Sequence, residues 1–190
     1  MGDIDQLTTG DLLLIVDVQK DFCPGGALPI AGGDQVVPIV NAWTARAQAN
    51  GVPVYLSRDW HPQCHLSYQE NGGMWPVHCV QDSAGAAFHP DLLVPEEAVI
   101  VTKGTRFDQD QNSAFDQTGL AFWLHKAGVR RIFTAGLAQD VCVLATVMDG
   151  VKEGFEMVLI EPATRAVSLE NGARALQQMR QAGVHILSEH

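Results

Sequence analysis

RRIFTAGLAQDVCVLATVMDGVKEGFEMVLIE, residues 130–161, reads as strand, helix, strand. RRIFTAG (130–136) is a short apolar run, 140–153 carries a helical pattern that stops at Gly154, and FEMVLIE (155–161) is apolar again. A helix that closes on a glycine with a strand directly behind it is the β-α-β unit of a parallel sheet. The rhythm extends in both directions. LLLIVDV (12–18) is a continuous apolar run ending in a carboxylate, as a strand buried on both faces requires. Asp34 then precedes a helical stretch that stops at Gly51, with Pro38 near its first turn, where a proline is tolerated. VPVYLS (52–57) and AVIVTK (98–103) are the next strands. Helix 116–127 ends at Gly128, helix 169–181 ends at Gly183, and VHILS (184–188) is a sixth strand. The expected fold class is α/β: a doubly wound, Rossmann-like three-layer sandwich around a six-stranded, mostly parallel sheet.

The 190 residues favour one domain spanning 1–190, large enough to bury a core without disulfides. With 46% hydrophobic and 18% charged residues, the composition is that of a folded globule. A formal charge of −10 repels phosphate backbones and argues against nucleic acid as a partner. It leaves a neutral small molecule as the easier ligand. No apolar run approaches membrane-spanning length, and MGDIDQLTTG (1–10) has neither a basic nor an apolar targeting region. A cytoplasmic location is expected, and with it four unpaired cysteines.

In an open α/β sheet, chemistry collects beyond the carboxyl ends of the strands. Asp17 ends the first strand, Asp59 follows the second, Lys103 ends the third, and Gly136–Cys142 follows the fourth. Taken singly, each has a plain structural reading: a cap, a solvated lysine, a packed thiol. Together on one rim they suggest a cysteine hydrolase. Cys142 falls in the first turn of a helix, whose positive potential and free N–H groups favour a thiolate and can hold an oxyanion. A nearby lysine favours the thiolate further, and a carboxylate can take the thiol proton and return it to a leaving amine. Asp17, Lys103 and Cys142 therefore make a self-consistent nucleophilic set.

The stretch 59–97 breaks the rhythm and shows no sustained periodicity. It holds four of the seven histidines, two of the four cysteines and two tryptophans, a composition suited to a loop held by a ligand. In an extended D-x-H segment Asp59 and His61 point to the same side and can grip one ion, with zinc, iron and manganese all compatible. His61, Cys64, His65, His78 and Cys79 also permit a closed structural zinc site. Histidines that merely hydrogen-bond the loop are a third reading.

Several blocks, in order, resemble the nicotinamidase/pyrazinamidase group of the isochorismatase-like cysteine hydrolases. They are LLLIVDVQKDFCPGGALPI (12–30), SRDWHPQCHLSY (57–68), WPVHCVQDSAGAAFHPDL (75–92), TKGTRFDQDQNSAF (102–115) and AGLAQDVCVLAT (135–146). The resemblance implies Asp17, Lys103 and Cys142 as the catalytic set. It implies Asp59, His61 and His78 as ligands of one divalent metal ion, zinc before iron or manganese, with His65 or Glu70 as a fourth. Phe22 and Trp75 should sandwich the substrate ring. A cis peptide between Leu137 and Ala138 should turn the Ala138 N–H, beside that of Cys142, toward the oxyanion. The implied activity converts nicotinamide, and pyrazinamide, to the acid and ammonia through a cysteine thioester, in NAD salvage. A homo-oligomer is the family expectation.

The rival readings are a related cysteine amidohydrolase acting on another small amide or N-carbamoyl compound, and a non-catalytic binding module of the same fold. Two blocks depart from the family pattern. Asn112 stands where a tyrosine is usual, and Gln139-Asp140-Val141 replaces a Thr-Asp-aromatic run. Both departures are expected at the mouth or behind the pocket, away from the reacting atoms.

Overall fold

A computed structural model describes residues 5–188; residues 1–4 and 189–190 of the expected 1–190 span lie outside the described residues. Six strands form one sheet: β1 Asp11–Val16, β2 Val54–Asp59, β3 Val99–Lys103, β4 Arg131–Leu137, β5 Glu156–Arg165 and β6 His185–Leu187. The spatial order is β3-β2-β1-β4-β5-β6. Every pairing is parallel. The chain winds outward from β1 to one edge and then, from β4, to the other. The reversal lies between β1 and β4, and a crevice opens there at the strand ends.

The unbroken apolar run of β1 serves both faces. Leu13 and Ile15 join the core on one side, with Trp43 of α1 (Val36–Ala49). Leu12, Leu14 and Val16 join the other, with Leu124 of α2 (Leu120–Lys126), Val147 of α3 (Leu144–Lys152) and Met179 of α4 (Leu169–Gln181). Side chains two apart share a face, so a strand covered on both sides is apolar at every position. Each such side chain contributes about 2 kcal/mol by leaving water.

Boundaries differ from the sequence reading where the backbone tightens or widens. Helix α2 begins at Leu120 instead of 116, because Gln117 and Gly119 take left-handed conformations (φ 57° and 75°). The helix expected over 140–153 opens with a π-helical turn, Gln139–Val143, in which the Ala138 carbonyl accepts from both Val141 and Val143 N–H. β1 stops at Val16, so Asp17 lies just past the strand, itself at φ 46°.

The long stretch after β2 forms no extended sheet or helix beyond one 3-10 turn, Gln69–Asn71, yet it is tightly held. Gln19, wholly buried, donates to the Asp59 and Ala86 carbonyls and accepts the Asp59 N–H, each at 2.8 Å. The Asp21 carboxylate accepts the Cys79 N–H at 2.7 Å, and the buried Tyr68 hydroxyl donates to the His78 carbonyl at 2.8 Å. Side chains thus replace the ladder that regular structure would supply. Among the described residues no helix is long and apolar enough to cross a membrane, and all four cysteines are free.

Candidate active site

Three adjacent strand ends deliver the polar residues to one place. Lys103, the last residue of β3, is fully buried. Its Nζ lies 2.7 Å from Asp17 Oδ2, 2.5 Å from Asp59 Oδ1 and 3.6 Å from Cys142 Sγ. Burial works against the ammonium, but Asp17, Asp59 and Cys142 outweigh it and hold the Lys103 proton firmly. Burial pushes the Asp17 carboxyl up from its ordinary value, against the pull of Lys103 and a 2.7 Å hydrogen bond from the Ser57 hydroxyl. Asp59 moves the opposite way: burial opposes its ionisation, but Lys103 and His61 hold its carboxyl well below the usual carboxylate range.

Cys142 departs from the sequence expectation. It lies inside the π-helical turn and is buried, and burial pushes its thiol well above the ordinary value despite Lys103, with Asp17 and Asp59 adding to the rise. The contacts of its sulfur are Lys103 Nζ at 3.6 Å and Asn112 Oδ1 at 3.8 Å, and the environment as a whole favours the protonated thiol. An attack from this site needs Asp17 to take that proton as the substrate arrives.

The loop brings Asp59, His61 and His78 together, with one ligand atom from each within 4.8 Å of the others. His61 Nδ1 lies 2.8 Å from the Gly104 carbonyl and His78 Nδ1 lies 2.8 Å from the Pro76 carbonyl. A carbonyl can only accept, so both Nδ1 atoms carry hydrogen and both neutral rings present a lone pair at Nε2. The His61 Nε2 lone pair then faces Asp59 Oδ2 at 3.5 Å, acceptor against acceptor, which calls for a cation between them. Burial opposes a charge on His61, but Asp59, 3.5 Å away, outweighs it and raises the His61 pKa. Burial lowers His78, keeping it neutral. The donor set fits a divalent metal ion.

The two fourth-ligand candidates separate. His65 is buried, its ring stacked on His61 at 4.1 Å, its Nδ1 2.7 Å from the Ser67 hydroxyl and its Nε2 without a partner. Glu70 is exposed in the 3-10 turn and joins no such group among the described residues. The closed zinc site does not form either: Cys64 is exposed and neither it nor Cys79 joins the cluster.

One cavity spans both halves. Phe22, Trp75, Asp59, His61, His78, Ala138 and Cys142 all line it. Phe22 is buried, with its ring 5.6 Å from that of His78. The Leu137–Ala138 peptide is cis. Asn112 and Val141 also line the cavity, and Asn112 Oδ1 lies 3.8 Å from Cys142 Sγ. Asn112 is thus at the Cys142 sulfur and not at a distance from it, because the loop after β3 folds back across the site. Gln139 points away and donates to the Thr164 hydroxyl at 2.7 Å. Sequence reading did not single out Asp110, which lines the same cavity. Nor did it single out Gln19, Asp21 and Tyr68, polar side chains clamping the loop from within. Only their setting beside the strand ends and histidines hinted at them.

Residues 11–190 match the isochorismatase domain. The chain belongs to that family. Among its isochorismatase-family relatives, an Escherichia coli nicotinamidase is 35% identical, the alignment covering 90% of this chain and 91% of the relative. A solved Pyrococcus horikoshii pyrazinamidase in complex with zinc is similar in fold at a TM-score of 0.91 and 41% identity, covering 95% of this chain and 99% of that one. PnC1 from L. infantum, solved in complex with nicotinate, superposes at a TM-score of 0.89 with 38% identity, covering 96% of each chain. The doubly wound α/β fold expected from the strand-helix rhythm is therefore observed, in the isochorismatase-like form that the resemblance implied.

Proposed function

We propose that this protein is a nicotinamidase, hydrolysing nicotinamide, and pyrazinamide with it, to the carboxylic acid and ammonia. The observation that carries the reading is the single cavity in which a thiol, paired with a buried carboxylate and ammonium, faces the Asp59, His61 and His78 cluster. An aromatic amide spans that interval, its ring between Phe22 and Trp75.

Asp59, His61 and His78 would hold the metal ion, with His65 the better placed of the two further candidates. Bound there, a divalent cation supplies a Lewis-acid anchor for the basic end of the substrate. Zinc is the ion we favour, supported by the zinc-bound pyrazinamidase relative.

The covalent steps belong to Asp17, Lys103 and Cys142. Asp17 takes the proton from Cys142 as its sulfur attacks the carboxamide carbon, and Lys103 stabilises the anionic charge on both. The Ala138 and Cys142 N–H groups receive the oxyanion. Protonated Asp17 gives its proton to the departing nitrogen, the carbon–nitrogen bond breaks, and ammonia leaves a thioester. Asp17 then takes a proton from water as it attacks the thioester, and the sulfur leaves and regains a proton. The same reading makes the chain one cytoplasmic domain acting in NAD salvage, the location supported by four unpaired cysteines, and assembled as a homo-oligomer.

The test is ammonia release from nicotinamide by purified protein, with and without chelator, alongside Cys142→Ala. Hydrolysis by the wild type, lost in the variant, is expected; normal turnover by Cys142→Ala would falsify the scheme.

A further inference from the structure

The cavity holds one charged side chain that the mechanism leaves idle. Asp110 lies on the loop after β3, half-buried, and lines the cavity beside Asp59, His61 and His78. One ligand atom from each of His61, His65 and Asp110 lies within 4.8 Å of the others, so this trio shares His61 with the Asp59 cluster. Asp110 Oδ1 accepts the Gln111 N–H at 2.9 Å, while its second oxygen has no protein partner among the described residues. The fully buried Nε2 of His65 has none either.

Charge gives this arrangement a purpose. Asp59 is the only carboxylate in the cluster assigned to the metal, and its Oδ1 is already committed to Lys103 at 2.5 Å. A dication entering there shares its counter-charge with an ammonium and with two neutral imidazoles. Asp110 is a carboxylate close by that Lys103 does not touch. We propose that Asp110 is the second carboxylate of the metal site, holding the ion from the His65 side with a charge not shared with Lys103. The inference rests on the metal reading above and extends it to a residue and a property, retention of the ion.

Asp110→Asn isolates the charge, since the amide oxygen can still accept the Gln111 N–H. The protein is stripped with chelator and titrated with zinc against a chromophoric competitor, as wild type, Asp110→Asn, Asp110→Glu and Asp59→Asn. The expected result is a zinc Kd raised about tenfold or more in Asp110→Asn, partly restored in Asp110→Glu, with the melting temperature of the metal-free protein unchanged. Zinc affinity within about twofold of wild type in Asp110→Asn, while Asp59→Asn loses the metal, overturns the inference and leaves the metal site standing. An affinity loss matched by earlier melting of the metal-free variant also overturns it, because the role is then structural. A wild type that takes up no zinc removes the metal reading itself and this inference with it.

Discussion

The Lys103 ammonium, with no exposed surface, lies 2.5 Å from Asp59 Oδ1. The same nitrogen holds Asp17 at 2.7 Å and Cys142 Sγ at 3.6 Å. One cation therefore joins the proposed nucleophilic half of the site to the proposed metal-binding half. Each of the two buried carboxylates draws counter-charge from Lys103, Asp59 sharing it with His61.

Lys103→Ala should accordingly damage two properties at once. Ammonia release should fall about a thousandfold, as when a charged group that acts in the transition state is lost. Two buried carboxylates would lose their partner, at a cost of about 3–5 kcal/mol. In a domain of this size that lowers the melting temperature by about 10 °C. Adding Asp59→Asn should recover part of the stability and none of the activity. Thermal melts and rates on the two variants check this, and an unchanged melting temperature in Lys103→Ala would contradict the buried pairing.

Activity should also decline on the acid side at an unusually high pH for a carboxylate. Asp17 must be ionised to accept the thiol proton, and burial raises its pKa above the ordinary 3.8 despite Lys103. The ionised form is lost as pH falls through that raised value, so kcat/KM drops there and not at the ordinary carboxylate pKa. Because Asp17, Lys103 and Cys142 exchange charge, the limb belongs to the set and not to one residue. A pH profile of kcat/KM, flat down to the ordinary carboxylate range, would count against this assignment.

Most of the fold was legible because β1, β4 and β5 are apolar at successive positions, and because Gly128, Gly154 and Gly183 close helices just before strands. Asp17, Lys103 and Cys142 could be found because strand ends in a parallel sheet share a rim. The clamp on the loop was not legible. Gln19, Asp21 and Tyr68 hold it through contacts 40, 58 and 10 residues away in sequence, which no local pattern encodes. Asp110 escaped notice for the same reason, and Asn112, noted as a departure, was expected away from Cys142: the loop after β3 reaches the cavity by folding back, and periodicity does not describe such a path.

Gly104 should prove indispensable to the metal-binding half. It follows Lys103 at φ 70°, and a Cβ there would meet His61 Cε1 at 2.5 Å and Nδ1 at 2.6 Å. Its own carbonyl is the acceptor that fixes the His61 tautomer. Gly104→Ala adds about 1 kcal/mol of backbone strain and displaces the ring from its position opposite Asp59. Metal content measured on purified Gly104→Ala should fall well below that of wild type, with a smaller loss in melting temperature. Full metal content with wild-type activity would show that the ring can yield without losing its place.

Asn112 should set how large a ring the cavity accepts. Its side chain lies 3.8 Å from the Cys142 sulfur and, with Val141, forms a wall of short side chains beside it. Asn112→Tyr restores an aromatic ring to that wall and fills space that a substituent on the substrate would otherwise use. Nicotinamide carries no such substituent, so its kcat/KM should change by no more than a few fold. A ring-methylated nicotinamide should lose about tenfold or more, the scale of discrimination that one methyl group gives in a closed pocket. The comparison is a ratio of two kcat/KM values on one enzyme, so a general loss of folded protein cancels. A ratio that does not move between wild type and Asn112→Tyr would mean that the substituent points elsewhere, and that Asn112 borders the sulfur without shaping the substrate.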